Sequence, residues 1–267
     1  ETGLYHTVWI YRYAYAPNNA EYEEVAEAGE MDKEYGYWYE IGVLDGWLGT
    51  ELQSPCNQLF YLLLPFLAVL PYGSQLFSEW NNGYAGQMII RCGRRRYLTA
   101  RGIAAFVSGG CVIAIPLLVN FLSIACFMPI IGTDPMALQS VVPGRALLGD
   151  IVYEAPALYA AWYIFIDFIY GGLFALMALA ITQFCNNGFV LTILPLMFNC
   201  CMYYGIHNLI PDINAYNISL IPNPAQQGMK LTWHSLFLSM SGTFLILIVL
   251  FAASNYKKDV LRTGAME

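Results

Sequence analysis

This chain is short of charge. Only 12% of its 267 residues are Asp, Glu, Lys or Arg, against about 25% in a typical soluble domain. With 58% of the residues hydrophobic, there are too few polar side chains to cover a soluble globule of this size. A surface that faces lipid needs no such cover, so composition points to an integral membrane protein. Basic residues are scarcer still, 12 in all, and no basic face of the kind nucleic-acid binding requires is visible. Enzyme signatures are missing too: there is no GxxxxGK[ST] phosphate loop, no HExxH and no GxSxG. The seven cysteines, Cys56, Cys92, Cys111, Cys126, Cys185, Cys200 and Cys201, contain no CxxC pair. They read as small apolar residues buried among helices, not as zinc ligands. The histidines, His6, His207 and His234, are too widely spaced to imply a metal site. Neither a catalytic group nor a metal ligand is expected in this chain.

What the sequence has is five apolar runs, roughly Leu59–Phe77, Ile103–Pro129, Leu158–Ile181, Phe189–Ile210 and Leu236–Ala253. Each is near or above the roughly 18 residues that cross a bilayer as a helix. The expected fold is therefore an all-α polytopic membrane protein with five transmembrane helices. Pro65, Pro71, Pro116 and Pro195 interrupt the runs, which membrane helices tolerate when neighbours satisfy the freed carbonyls.

The charge distribution sets the topology. The net charge is −7, yet 11 of the 19 acidic residues lie in the first 54 positions. Five arginines, Arg91, Arg94, Arg95, Arg96 and Arg101, gather in "SEWNNGYAGQMIIRCGRRRYLTARG", residues 78–102. Basic loops stay in the cytoplasm, as should the tail carrying Lys257, Lys258 and Arg262. Residues 1–54, about 130–157 and about 211–235 then lie outside, with the short "TQFCNNG" turn inside. A long acidic segment outside needs a carrier across the membrane. The expectation is a sixth helix preceding residue 1, with a cleaved signal peptide or direct translocation as rivals. Residues 1–54 themselves, with "LYHTVWIYRYAY" and "YGYWYEIG" around a Glu-rich piece, read as an aromatic lid at the membrane interface.

Two features inside the runs bear on function. Asp167, in "WYIFIDFIYGG", is the acidic side chain within a span, where a carboxylate costs about 2.5–3.5 kcal/mol at the helix centre. Either it lines a pathway or locks helices, or it lies near enough to the outer interface to reach water. Gly171 and Ala175 form a small-xxx-small pair that lets another helix approach closely. The arginine loop holds more than a topology signal requires: Glu79 at its start, Gly83 and Gly86 within it, a short mixed-polarity helical piece "AGQMII", and Tyr97 after the arginines. Basic residues there also anchor helices to an anionic leaflet, at about 1 kcal/mol each.

The order of these pieces resembles the permeases of ABC-2-type transporters over roughly residues 55–262. There an acidic residue closes one membrane helix, and a glycine, a cytoplasmic coupling helix and a basic-aromatic end lead into the next. By motif, Glu79 is the acidic residue, Gly83 or Gly86 the glycine, and Arg94, Arg95, Arg96 and Tyr97 the basic-aromatic end, with Arg91 in the coupling piece. The segments "YAAWYIFIDFIYGGLFALMALAITQF" and "GFVLTILPLMFN" resemble later helices of that family. The resemblance implies a permease domain at 55–262, an extracytoplasmic segment at 1–54 and a cytoplasmic tail at 263–267, in a bacterial plasma membrane. It also implies a second permease chain, identical or not, and a separate ATPase subunit holding ATP and Mg, with no cofactor in this chain. The long aromatic segment at 1–54 departs from the compact loop usual in the family.

Overall fold

The computed structural model describes residues 42–50, 55–131, 147–182, 188–206, 209, 211–224 and 231–263. The aromatic and acidic segment up to residue 41, most of the "TQFCNNG" turn, Cys185, His6 and His207 lie outside the described residues. In chain order the helices are α1 (Val43–Gly46), α2 (Pro55–Asn81), α3 (Tyr84–Cys92), α4 (Arg94–Ala125), α5 (Gly149–Glu154), α6 (Pro156–Ile181) and α7 (Gly188–Cys200). A π-helix (Cys201–Ile206), a 3₁₀ helix (Pro211–Tyr216) and α8 (Trp233–Thr263) follow. Among the described residues there is no strand.

Among the described residues, three stretches are long and apolar enough to cross a membrane: Arg95–Ala125, Pro156–Ile181 and Gly188–Gly205. The first and last apolar runs form helices whose apolar parts, Pro55–Pro71 and Trp233–Val249, are shorter. The arginines do not delay the second run, since α4 begins at Arg94, well before the apolar start at Ile103. Exposed Leu118, Leu122, Phe165, Phe244, Leu245 and Ile248 make apolar outer faces of the kind that lipid, and not water, accommodates.

The described residues fall into two compact units. One takes its residues from Glu1–Tyr61, Ile115–Ile166 and Leu220–Trp233. Its centre is Trp47, fully buried, whose Nε1 donates to the Leu117 carbonyl at 3.3 Å and whose ring meets Phe121 edge-on at 5.9 Å. Polar side chains stitch irregular backbone around it, as buried amides require. The Asn120 Oδ1 accepts from the Leu48 amide at 3.0 Å, and Asn57 Nδ2 donates to the Leu48 and Gly49 carbonyls. Asn223 Nδ2 in turn donates to Asn57 Oδ1 at 3.2 Å. Tyr159 donates to the Pro224 carbonyl at 3.3 Å, and Trp162 meets Trp233 edge-on at 6.2 Å.

The other unit takes Leu62–Ala114, Asp167–Ser219 and His234–Glu267. Its helices meet at glycines. A Cβ on Gly109 would lie 2.5 Å from the Ala175 Cβ, 2.9 Å from the Gly171 carbonyl oxygen and 3.0 Å from that of Ala68. No side chain fits at Gly109, so α2, α4 and α6 come into near contact there. Phe106 and Phe168 lock edge-to-face at 5.8 Å, over Gly172 and Gly110 respectively.

Candidate functional site

The basic stretch folds as a broken hairpin. α2 ends at Asn81, and the Asn82 amide and side chain bond back to Ser78 at 2.9 and 3.1 Å. Gly83 then turns the chain at φ 72°, a left-handed conformation costly to residues with a Cβ. The nine-residue α3 follows, and Gly93 closes it at φ 80°, its amide donating to the Ile89 carbonyl at 3.0 Å. With ψ at 145°, this is a backbone conformation that glycine enters readily and residues with a Cβ do not.

α3 is two-faced. Ala85, Met88 and Ile89, at helical spacing, pack on Tyr97 and Leu98 of α4. The opposite side presents Ile90, 87% exposed, and Tyr84 and Arg91 are exposed on the flank. So large an apolar residue on a polar loop helix asks for a cover.

Three side chains fasten the hairpin's base. Glu79, in the last turn of α2, forms an ion pair with Arg101, and Tyr97 donates its hydroxyl to Glu79 Oε2 at 3.1 Å. The Arg101 guanidinium also lies 5.4 Å from the Tyr97 ring centroid, a cation–π distance. Both charged side chains are about one-fifth exposed, 17% for Arg101 and 21% for Glu79. The arrangement ties the end of one long helix to the start of the next across the loop between them. Sequence reasoning singled out Glu79 and Tyr97 but gave Arg101 no role beyond its charge. The available signal was its position four residues after Tyr97, where helical side chains meet.

The remaining predicted residues are placed as follows. Gly83 is the turn. Gly86 lies on α3 with open space around it. Arg91 is exposed in the last turn of α3, and Arg95 and Arg96 are exposed in the first turn of α4. The Arg94 side chain lies outside the described residues, although its backbone begins α4. Arginines at a helix N-terminus oppose the helix dipole by typically 0.3–1 kcal/mol each. Their presence is thus not explained by helix formation.

Asp167 is fully buried, near the middle of α6. Gly171 and Ala175 lie against Gly109, in the close approach described above. Sequence reasoning missed Gly109, Gly110 and Gly172, whose partners come from other helices and leave no local spacing to read. His234 is exposed in the first turn of α8. The sequon Asn217-Ile-Ser219 is internal: Asn217 is 2% exposed and its Nδ2 donates to the Met202 carbonyl at 2.9 Å.

That bond belongs to a set around the π-helix. Ser219 donates its hydroxyl to the Asn199 carbonyl at 3.2 Å, and Asn199 Nδ2 donates to the Leu62 carbonyl at 3.1 Å. The first two satisfy carbonyls in and beside an irregular turn of a kind often found at functional sites, and the third ties it to α2. Two apolar cavities open in the same unit. One, of about 420 Å³, is bounded by Phe174, Met202, Ile218, Ser239 and Gly242 among others. The second, of about 380 Å³, lies among α4, α6 and α8. Tyr170 donates to Ser239 Oγ at 3.2 Å beside the first.

Among the described residues outside the membrane helices, Asp45 is a perturbed carboxyl. Its Oδ2 accepts from the Gly42 amide at 2.8 Å, while its buried Oδ1 meets no hydrogen-bond partner. Burial pushes its pKa up to about 6, against the opposing pull of the Gly42 amide.

The described residues define an all-helical protein with three stretches long and apolar enough to cross a membrane and a fastened, two-faced hairpin between two of its long helices. No protein-family profile, characterised protein or solved structure matches the chain.

Proposed function

We propose that the chain is the membrane-spanning permease subunit of an ATP-driven ABC transporter. It would work in a bacterial plasma membrane and export an amphipathic peptide, lipid-like or drug-like substrate. The observation that carries this reading is the α2–α3–α4 hairpin. One face of α3 is packed on Tyr97 and Leu98, while Ile90 is left bare and Tyr84 and Arg91 are exposed elsewhere on the same helix. An ATPase subunit docking there would cover Ile90 and pair its acidic groups with Arg91, Arg94, Arg95 and Arg96. The Glu79–Arg101–Tyr97 fastening would pass movement of α3 to both flanking helices without slack. In this reading the chain spans the membrane five times. Residues 1–54 lie outside, residues 78–102 and the C-terminus inside, and a second permease chain completes the pathway. ATP and Mg are held by the ATPase.

The test is gentle purification of the full-length gene product from its native membrane, followed by assay for a co-purifying ATPase. The expected result is a stoichiometric nucleotide-binding subunit, lost at least tenfold on Ile90→Asp while membrane insertion is unchanged. Equal recovery of an ATPase with Ile90→Asp, or a chain that purifies alone even after cross-linking through α3, would refute it.

The complete burial of Asp167 favours a second reading, an ion-coupled carrier in which this carboxyl takes the ion. That reading requires Asp167→Asn to abolish pH-dependent flux.

A further inference from the structure

The cavity among α4, α6 and α8 has a built-in polarity. Its α4 wall is Leu98, Thr99, Gly102 and Ile103. These residues stand three, four, seven and eight positions after Arg95, which places all five on one helical stripe. Arg95 is exposed, and it is where the apolar stretch Arg95–Ala125 begins. From Arg95 to Ile103 the stripe climbs about 12 Å at 1.5 Å per residue. The other walls, including Leu176, Leu179, Phe244, Leu247 and Ile248, are apolar. Thr99 is the polar side chain of the lining, and its hydroxyl already donates to the Arg95 and Arg96 carbonyls at 3.0 and 3.1 Å. It therefore offers the cavity its methyl.

We propose that this cavity binds an anionic phospholipid, its acyl chain lying along the stripe and its phosphate against Arg95. Two physical arguments select that occupant. An acyl chain gains no hydrophobic free energy by moving from bilayer to protein, so an apolar slot alone would not choose among lipids. A guanidinium at the slot's interfacial end supplies the choice, because it pairs with an anionic headgroup in a way a zwitterionic one matches poorly. A soluble apolar molecule would make no use of Arg95, and a free phosphate would make no use of the walls. The inference does not rest on the transporter reading, and its assay contains no ATPase.

Gly102 provides a matched variant. A Cβ there would meet Leu176 Cδ2 at 3.7 Å and Leu179 Cδ2 at 4.0 Å, which is ordinary contact. Gly102→Leu should therefore extend into the cavity with the helix approach intact. The experiment places the full chain in nanodiscs holding phosphatidylglycerol or phosphatidylcholine with a photoactivatable diazirine in one acyl chain. Labelled peptides are mapped by mass spectrometry. The expected result is preferential labelling by phosphatidylglycerol at residues 98–103, 176–180 and 244–248. Arg95→Gln should lower that preference about fivefold, the factor corresponding to about 1 kcal/mol per basic residue at an anionic surface. Gly102→Leu should remove labelling of these peptides by either lipid, and Ile103→Trp should do the same if the Gly102 variant fails to fold. Equal labelling by the two lipids, an unchanged preference in Arg95→Gln, or unchanged labelling in a folded filled variant would overturn the proposal.

Discussion

Replacing Glu79 by Gln is the sharpest probe of the hairpin. The change keeps the side chain's shape and an oxygen for the Tyr97 hydroxyl, which sits 3.1 Å away, but removes the charge that Arg101 faces. An exposed ion pair contributes about 0–1 kcal/mol, whereas stranding one partner of a buried pair costs about 3–5 kcal/mol. With Arg101 and Glu79 at 17% and 21% exposure, the pair falls between these limits, at about 2 kcal/mol. A neutral acceptor for Tyr97 still gives a bond of about 1 kcal/mol, so most of the loss should lie in the Glu79–Arg101 pair. The measurement is a double-mutant cycle of Glu79→Gln and Arg101→Gln, unfolded reversibly in mixed micelles and followed by helical circular dichroism. A coupling of about 1–2 kcal/mol is expected. Free energies that add to within about 0.5 kcal/mol would show that the two side chains do not work together, and the fastening would fall with them.

Other predictions concern backbone space and proton binding. Gly109→Ala must force a Cβ to within 2.5 Å of the Ala175 Cβ and 2.9 Å of a carbonyl oxygen; it should destabilise by about 1–3 kcal/mol, seen as a lower unfolding midpoint. Gly86→Ala meets nothing within 4 Å and should stabilise α3 by up to about 1 kcal/mol, whereas Gly83→Ala, at φ 72°, should destabilise the turn by about 1–2 kcal/mol. Asp45 binds its proton more tightly folded, at a pKa of about 6 against 3.8. Its contribution is fully present below pH 3.8 and is lost as pH rises through about 6. The amount is on the order of 3 kcal/mol. Asp45→Asn should flatten that slope, and parallel pH–stability curves for the two proteins would refute the assignment.

Much of the helical architecture could be read from composition, because lipid tolerates only a backbone that satisfies itself and the apolar runs are long. The boundaries were less legible. Arginines at 94–96 look like loop, yet Gly93 alone marks the break, and the polar residues that follow are simply the first turns of a helix reaching the interface. The break at Asn82-Gly83 and the short helix after it were legible, since a left-handed turn and an amphipathic spacing leave local marks. The Glu79–Arg101 pair spans two helices, and the cavities require three, so neither has a spacing along the chain. Trp47 shows the limit most plainly. In "LDGWLGT" nothing nearby marks its role, yet its indole is fully buried against Leu117 and Phe121, an arrangement settled by residues some seventy positions away.

The internal position of Asn217 has a practical corollary for making the protein. Glycan transfer in a eukaryotic host would act on the same Nδ2 that holds the Met202 carbonyl, so the enzyme could reach it only on a nascent chain. A sugar attached then would strip the π-helix of that bond and could not be enclosed at a site only 2% exposed. In such a host the heavier band on a gel should mark chains that never matured, and the unmodified band the usable protein. Asn217→Gln would be a poor remedy, because the longer amide must find a new path to Met202. Ser219→Ala also abolishes the sequon, at the cost of the bond from its hydroxyl to the Asn199 carbonyl. A host without the glycosylation machinery avoids the choice.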